Sequence, residues 1–151
     1  MNLGALRLLQ LLRFIVSQPL NSDARLAALS RFFRWQLASR LIKQPISLPF
    51  INDTVLLAQS GMTGATLNWY CGLHEPIEMA FALHVLRPGD LFVDVGANVG
   101  SYSILAGGAV KADVISVEPI PSTFQWLQRN IRLNDLNQIE AHCCWPVFDA
   151  R

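Results

Sequence analysis

The sequence has few charged residues and no excess of either sign. Only 15% of its 151 residues are Asp, Glu, Lys or Arg, and the formal net charge at neutral pH is +1. A chain that binds nucleic acid or an anionic membrane mainly by electrostatics carries a basic surplus, so we expect no nucleic-acid partner. The apolar content is high, at 52%, which indicates an apolar surface that either binds a partner or is missing its cover.

Cysteine pairs, metal-ligand patterns and long apolar runs are also missing. The three cysteines show no Cys-x-x-Cys spacing, so we expect no disulfide framework and a cytoplasmic location. The three histidines lie far apart, so we expect no metal site and a structural role for each of them. Arg7 and Arg13 interrupt the leucine-rich first sixteen residues. This segment is therefore predicted to be an amphipathic helix, and no transmembrane segment or signal peptide is indicated.

The most informative segment is LFVDVGANVGSY, from Leu91 to Tyr102. It predicts an apolar strand containing Asp94, a tight loop between Gly96 and Gly100, and a helix that begins at Ser101. This order is typical of nucleotide-binding α/β folds. Glycine lets the backbone approach a ligand closely, and the start of the helix offers N–H groups without partners in the helix.

Two carboxylates indicate which nucleotide. Asp94 precedes the first glycine of the loop by two positions, where it would repel a pyrophosphate but attract an ammonium group. Glu118 ends a second predicted strand, 113–118, where a carboxylate is suited to the two hydroxyls of a ribose. The pair favours S-adenosylmethionine. The spacing Asp-x-Gly-x-x-x-Gly disfavours a nicotinamide-dependent oxidoreductase, and two solvated carboxylates beside an ordinary turn remain the structural alternative.

From about residue 22 to 141 the sequence resembles the FkbM family of class I, Rossmann-like S-adenosylmethionine-dependent methyltransferases. The resemblance is carried by the Arg87–Tyr102 block and by residues 34–36, 61–65, 70–75, 118–119 and 129–134. It implies methyl transfer from S-adenosylmethionine, most often to a hydroxyl of a sugar or natural product; no residue is assigned as catalytic. The residues assigned to the cofactor are Tyr70, Glu75, Asp94, Gly96, Ala97, Asn98, Gly100, Ser101, Glu118 and Pro119.

The chain is predicted to contain three regions. Residues 1–50 form a helical extension, in which Leu26, Leu29, Phe33, Leu37 and Leu41 supply one buried stripe. Residues 51–73 form a β-hairpin with strands 54–58 and 65–70. Residues 74–151 form a partial doubly wound parallel sheet, the S-adenosylmethionine-binding domain.

A class I methyltransferase sheet has seven strands, of which we predict three. We therefore expect the chain to be truncated after the third core strand, with its activity left open. The alternative is a non-catalytic interaction module that forms a homodimer through its open sheet edge.

Overall fold

The computed structural model describes residues 3–145, in which helices and short strands alternate. The helices are α1 (Leu3–Ser17), α2 (Arg25–Leu41), α3 (Thr63–Cys71), α4 (Pro76–Val85), α5 (Ser101–Ile104) and α6 (Pro121–Leu133). A 3-10 turn over Pro19–Asn21 precedes α2, and α5 continues as a π-helical segment over Leu105–Val110. The strands are β1 (Ile46–Pro49), β2 (Val55–Ala58), β3 (Leu91–Val95), β4 (Asp113–Val117) and β5 (Ile139–His142).

A three-stranded parallel sheet in the order β3-β4-β5 positions the site. Asp94 of β3 lies opposite Ser116 of β4. Because side chains alternate between the two faces of a strand, Asp94 and Ser116 project from one face, and Glu118, two residues after Ser116, lies on the same side. The predicted α/β class, a partial doubly wound parallel sheet preceded by helices and a hairpin, is confirmed for the described residues.

Among the described residues, helices cover one face of this sheet and leave the β3 side of the other face bare. The α5 helix, its π-helical continuation and α6 pack against the strands on the face of Val114, which is buried together with Leu127 of α6. On the opposite face of β3, Leu91, Val93 and Val95 are 62%, 52% and 54% exposed. Both faces of a parallel sheet are normally covered. This face is unusual because its side chains are apolar and yet exposed to solvent.

The hairpin of β1 and β2 is antiparallel and is joined to α6 by amide side chains. The Oδ1 atom of Asn130 accepts a hydrogen bond from the Leu57 N–H at 2.8 Å. Asn134 accepts from the Val55 N–H at 2.8 Å and donates to the Val55 carbonyl at 2.9 Å. These bonds attach the N-terminal region to the parallel sheet in one core. Among residues 3–145, no helix combines the length and the apolarity that crossing a membrane requires.

The prediction of a strand over 65–70 is wrong, because these residues belong to α3. The β2 strand pairs instead with Ile46–Pro49, a segment that lies within the predicted helical extension. Aromatic and β-branched residues favour strands, but packing overrides such propensities. Thr66 Oγ1 donates to the Met62 carbonyl at 2.8 Å and Asn68 Nδ2 to the Gly64 carbonyl at 3.1 Å, so the polar side chains are satisfied within the helix.

The predicted buried stripe of α2 is also wrong. Leu26, Phe33, Leu37 and Leu41 are each more than half exposed, and the buried face consists of Ala28, Phe32 and Trp35. The helix carries two apolar stripes at helical spacing. The stripe that contains Phe32 and Trp35 packs against α3, and the rings of Phe32 and Tyr70 lie 5.3 Å apart.

A similar difference is found in α4, which is apolar nearly all round. Ile77, Phe81 and Val85 are 78%, 66% and 48% exposed, whereas Met79 and Ala82 are buried. Periodicity alone does not select a face when most positions are apolar.

Candidate cofactor-binding site

The loop between β3 and α5 is held by backbone hydrogen bonds to the end of β4. The N–H groups of Gly96 and Ala97 both donate to the Val117 carbonyl, at 2.8 and 3.0 Å. Gly100, the residue before α5, has a φ of +95°, and a Cβ there would lie 2.7 Å from Leu127 Cδ1. Glycine at this position is therefore required by both the backbone conformation and the packing of α6.

Asp94 is a buried carboxylate with a defined partner. Its side chain accepts a hydrogen bond from Ser103 Oγ at 2.5 Å, and the Ser103 and Ser116 hydroxyls lie 2.8 Å apart. Burial raises the pKa of Asp94, the hydrogen bonds of Ser103 lower it, and the nearby charge of Glu118 raises it further. A cation that approached Asp94 would therefore relieve an unfavourable buried negative charge.

Glu118 is held by two backbone N–H groups. Its Oε2 atom accepts from the Asn98 N–H and its Oε1 atom from the Ile120 N–H, both at 2.9 Å. The side chain is only 5% exposed. Each carboxylate oxygen has two lone pairs, so each retains capacity for one more donor, such as a ribose hydroxyl.

A cleft of about 220 Å³ opens beside Asp94 at the carboxyl end of β3. It contains six of the ten residues assigned to the cofactor from sequence. The residues that line it are Gly64, His74, Glu75, Asp94, Gly96, Ala97, Asn98, Val99, Ser101 and Tyr102. This is the crevice where open α/β sheets bind their ligands.

Four of the assigned residues do not line the cleft. Gly100 lies next to Leu127. Glu118 contacts the loop by accepting a hydrogen bond from the Asn98 N–H, and Pro119 is the residue that follows it. Tyr70 is only 4% exposed and packs against Phe32. Burial raises the pKa of Tyr70 to about 12, as expected for a neutral hydroxyl in a core. The structure therefore does not bring Tyr70 to the cleft.

A hydrogen-bonded network that sequence reasoning missed forms the other wall of the cleft. Tyr102 donates its hydroxyl hydrogen to Glu75 Oε2 at 2.8 Å, and His74 Nε2 lies 3.6 Å from the same oxygen. His74 Nδ1 lies 3.2 Å from Asn68 Oδ1, and Asn68 Nδ2 donates to Ser101 Oγ at 3.0 Å. Burial and the neighbouring Glu75 raise the pKa of Tyr102, so its hydroxyl stays protonated.

The only sequence signal for this network is the adjacency of His74 and Glu75 in the 70–75 block. Asn68 was assigned to a strand, which hides its position on a helix that faces the loop.

Comparisons with known proteins agree with this architecture. The family model of the TRM5/TYW2 methyltransferase domain matches residues 73–143, which include most of the cleft and the parallel sheet. Methyltransferase 1 of Beauveria bassiana (strain ARSEF 2860) is 34% identical over 59 residues, which are 38% of this chain and 24% of that protein. The chain is thus similar, in sequence over its second half and in fold, to class I S-adenosylmethionine-dependent methyltransferases.

Solved structures share the fold of this chain. TYW2 of P. horikoshii, in complex with MeSAdo, superimposes with a TM-score of 0.55 at 23% identity, covering 70% of this chain and 39% of that one. TYW2 of M. jannaschii, in complex with AdoMet, gives 0.55 at 17% identity, covering 68% and 44%. The chain thus spans less than half the length of these relatives. S-adenosylmethionine is the cofactor of this class.

Proposed function

We propose that the cleft beside Asp94 binds S-adenosylmethionine and that the protein transfers its methyl group to a hydroxyl oxygen. The observation that carries the proposal is the pair of buried carboxylates, Asp94 and Glu118, on one face of neighbouring strands. Two such groups close together are costly without a compensating ligand, and a ligand with an ammonium group and a ribose compensates both.

The residues of the cleft fit this cofactor. Asp94 would accept hydrogen bonds from the ammonium group, and the free lone pairs of Glu118 would accept from the ribose hydroxyls. Gly96 has a φ of +80°, and a Cβ added there would meet no protein atom within 4 Å, so its backbone borders open space. When bound, S-adenosylmethionine supplies an electrophilic methyl group, and the protein's part is to align donor and acceptor and to exclude water.

Calorimetric titration with S-adenosylhomocysteine tests the assignment. We expect micromolar binding by the chain, and a loss of about 10-fold or more in Asp94→Asn and in Glu118→Gln, since a hydrogen bond to a charged group contributes about 1.5–3 kcal/mol. Asp113→Asn, at the exposed opposite end of β4, is the matched control and should bind like the wild type. Equal affinities in all four proteins would refute the site.

The acceptor that the cleft favours is an uncharged hydroxyl compound. The described residues that line the cleft include Glu75 and Asp94 but no lysine or arginine, and a polyphosphate chain is bound mainly through basic side chains. This agrees with a sugar or natural-product hydroxyl, the acceptor that the resemblance to the FkbM family implies. The match to the TRM5/TYW2 domain supports the wider class, and membership of the FkbM family remains our proposal.

Transfer RNA is the second candidate acceptor, favoured by the family model and by the fold neighbours. One of these is the tRNA (uracil-54, C5)-methyltransferase of Pyrococcus abyssi, with a TM-score of 0.51 at 13% identity over 66% of this chain and 24% of that one. Tritiated S-adenosylmethionine, offered with a panel of glycosides in one arm and unmodified tRNA transcripts in the other, separates the candidates. Label in the glycosides alone supports the hydroxyl acceptor, and label in tRNA overturns it.

A further inference from the structure

We infer that His74 is the general base that removes the proton of the acceptor hydroxyl. A hydroxyl is a weak nucleophile until its proton is taken up by a positioned base. The inference rests on the proposed function, because it assumes that methyl transfer to a hydroxyl takes place in the cleft. It is carried by three features of the His74 side chain: its place, its tautomer and its neighbouring carboxylate.

His74 and Asp94 both line the cleft. His74 follows α3, and both Glu75 and Tyr102 line the same cleft. Its side chain is 21% exposed, so it is anchored but still open to the cleft. The methionine end of the cofactor is proposed to bind at Asp94, so His74 borders the space in which the methyl group and the acceptor would meet.

Asn68 determines which ring nitrogen of His74 is basic. The Asn68 amide nitrogen donates to the Gly64 carbonyl, which has no hydrogen to give, so the orientation of this amide is fixed. Asn68 Oδ1 is then the acceptor for both the His74 backbone N–H at 3.0 Å and the ring Nδ1 at 3.2 Å. The hydrogen of a neutral ring must therefore be on Nδ1, which leaves a lone pair on Nε2.

Glu75 is placed to stabilise the ring after it has accepted a proton. Its Oε2 atom lies 3.6 Å from His74 Nε2, and the Tyr102 hydroxyl holds the same oxygen at 2.8 Å. A neutral Nε2 gains nothing from this oxygen, since both atoms are acceptors. A protonated Nε2 would instead form an ion pair with this carboxylate across the 3.6 Å that separates them.

In the proposed step, two bonds form and two bonds break. The acceptor oxygen uses a lone pair to form the bond to the methyl carbon while the S–C bond breaks and its electrons stay on sulfur. The electrons of the O–H bond remain on oxygen, and the proton moves to His74 Nε2. The imidazolium, paired with Glu75, then releases this proton to solvent, so each turnover restores the starting state of the side chain.

Nitrogen NMR of the chain labelled with ¹⁵N-histidine tests the tautomer without any assay of activity. We expect His74 to be the Nδ1–H tautomer at alkaline pH, and Asn68→Ala to return it to the Nε2–H tautomer that free histidine prefers. His84, which is exposed on α4, is the internal control and should not change between the two proteins. An Nε2–H tautomer of His74 in the wild-type chain would overturn the inference.

His74→Gln tests the role in turnover. With the acceptor that takes up most label in the panel above, we expect its rate to fall by about 10²–10⁴-fold, the usual contribution of general-base catalysis. Its affinity for S-adenosylhomocysteine should stay within about twofold of wild type, which a misfolded variant would not show. His84→Gln is the matched control.

The two hypotheses fail in different ways. A wild-type chain that binds no S-adenosylhomocysteine would refute the proposed function. Cofactor binding with an undiminished rate in His74→Gln would overturn the role of His74 alone.

Discussion

Gly100→Ala is predicted to destabilise the protein by about 2–5 kcal/mol, and the structure separates this value into two parts. The first is backbone strain, because Gly100 has a φ of +95° and a residue with a Cβ pays about 1–2 kcal/mol in left-handed conformations. The second is a clash, because the new Cβ would lie 2.7 Å from Leu127 Cδ1. Leu127 is fully buried and cannot move outward, and overpacking of this kind costs about 1–3 kcal/mol.

Gly61→Ala isolates the strain from the clash. Gly61 has a φ of +94°, almost the same as that of Gly100, but a Cβ there would meet nothing within 4 Å. Urea unfolding, with linear extrapolation to water, should place Gly61→Ala about 1–2 kcal/mol below wild type and Gly100→Ala clearly lower. Equal losses in the two variants would refute the claim that Leu127 packs against this glycine.

Three further predictions concern buried polar groups. Ser103→Ala removes hydrogen bonds that lower the pKa of Asp94, so the pKa of Asp94 should be higher in this variant. Calorimetry across a pH series should therefore show that, on acidification, the variant loses its affinity for S-adenosylhomocysteine at a higher pH than the wild type does. The folded-state pKa of Asp94 is raised, so from about pH 4 up to that pKa the folded protein binds more protons than the unfolded chain, and the wild-type protein loses stability as the pH rises through this window. Asp94→Asn lacks this titrating group, so its thermal unfolding should show a smaller loss of stability over the same pH range. Asn130→Ala removes the side-chain partners of the half-buried Leu57 N–H and the buried Val99 carbonyl and should cost roughly 1–3 kcal/mol in urea unfolding, whereas Asn137→Ala, on the surface, should cost little.

Much of the sheet could be predicted from local pattern. The strands that contain Asp94 and Ser116, and the helix that begins at Pro121, are delimited by proline, glycine and abrupt changes in polarity. These signals lie within a few residues of the feature they mark. That Asp94 and Glu118 lie on one side of the sheet follows from the strand period of two only together with the register that pairs Asp94 with Ser116.

The parts that were wrong depend on contacts between distant segments. Whether Leu26 or Phe32 is buried is decided by where α3 packs, and whether residues 65–70 are helical is decided by the burial of Asn68 and its neighbours. Within the site, the loop residues and the roles of Asp94 and Glu118 remain predictions that their geometry supports. Tyr70 was assigned to the cofactor because it is close to Glu75 in sequence, but the end of α3 turns its side chain away from the cleft.

The bare face of the parallel sheet has a consequence for the behaviour of this chain in solution. Leu91, Val93 and Val95 form a row of aliphatic side chains, each more than half accessible, on a strand whose outer edge has no neighbour among the described residues. Such a row attracts dyes such as anilinonaphthalene sulfonate while the protein is still fully folded. Dye fluorescence, often taken as a sign of a molten state, would here report an intact native surface, and near-ultraviolet circular dichroism is the measurement that tells the two apart.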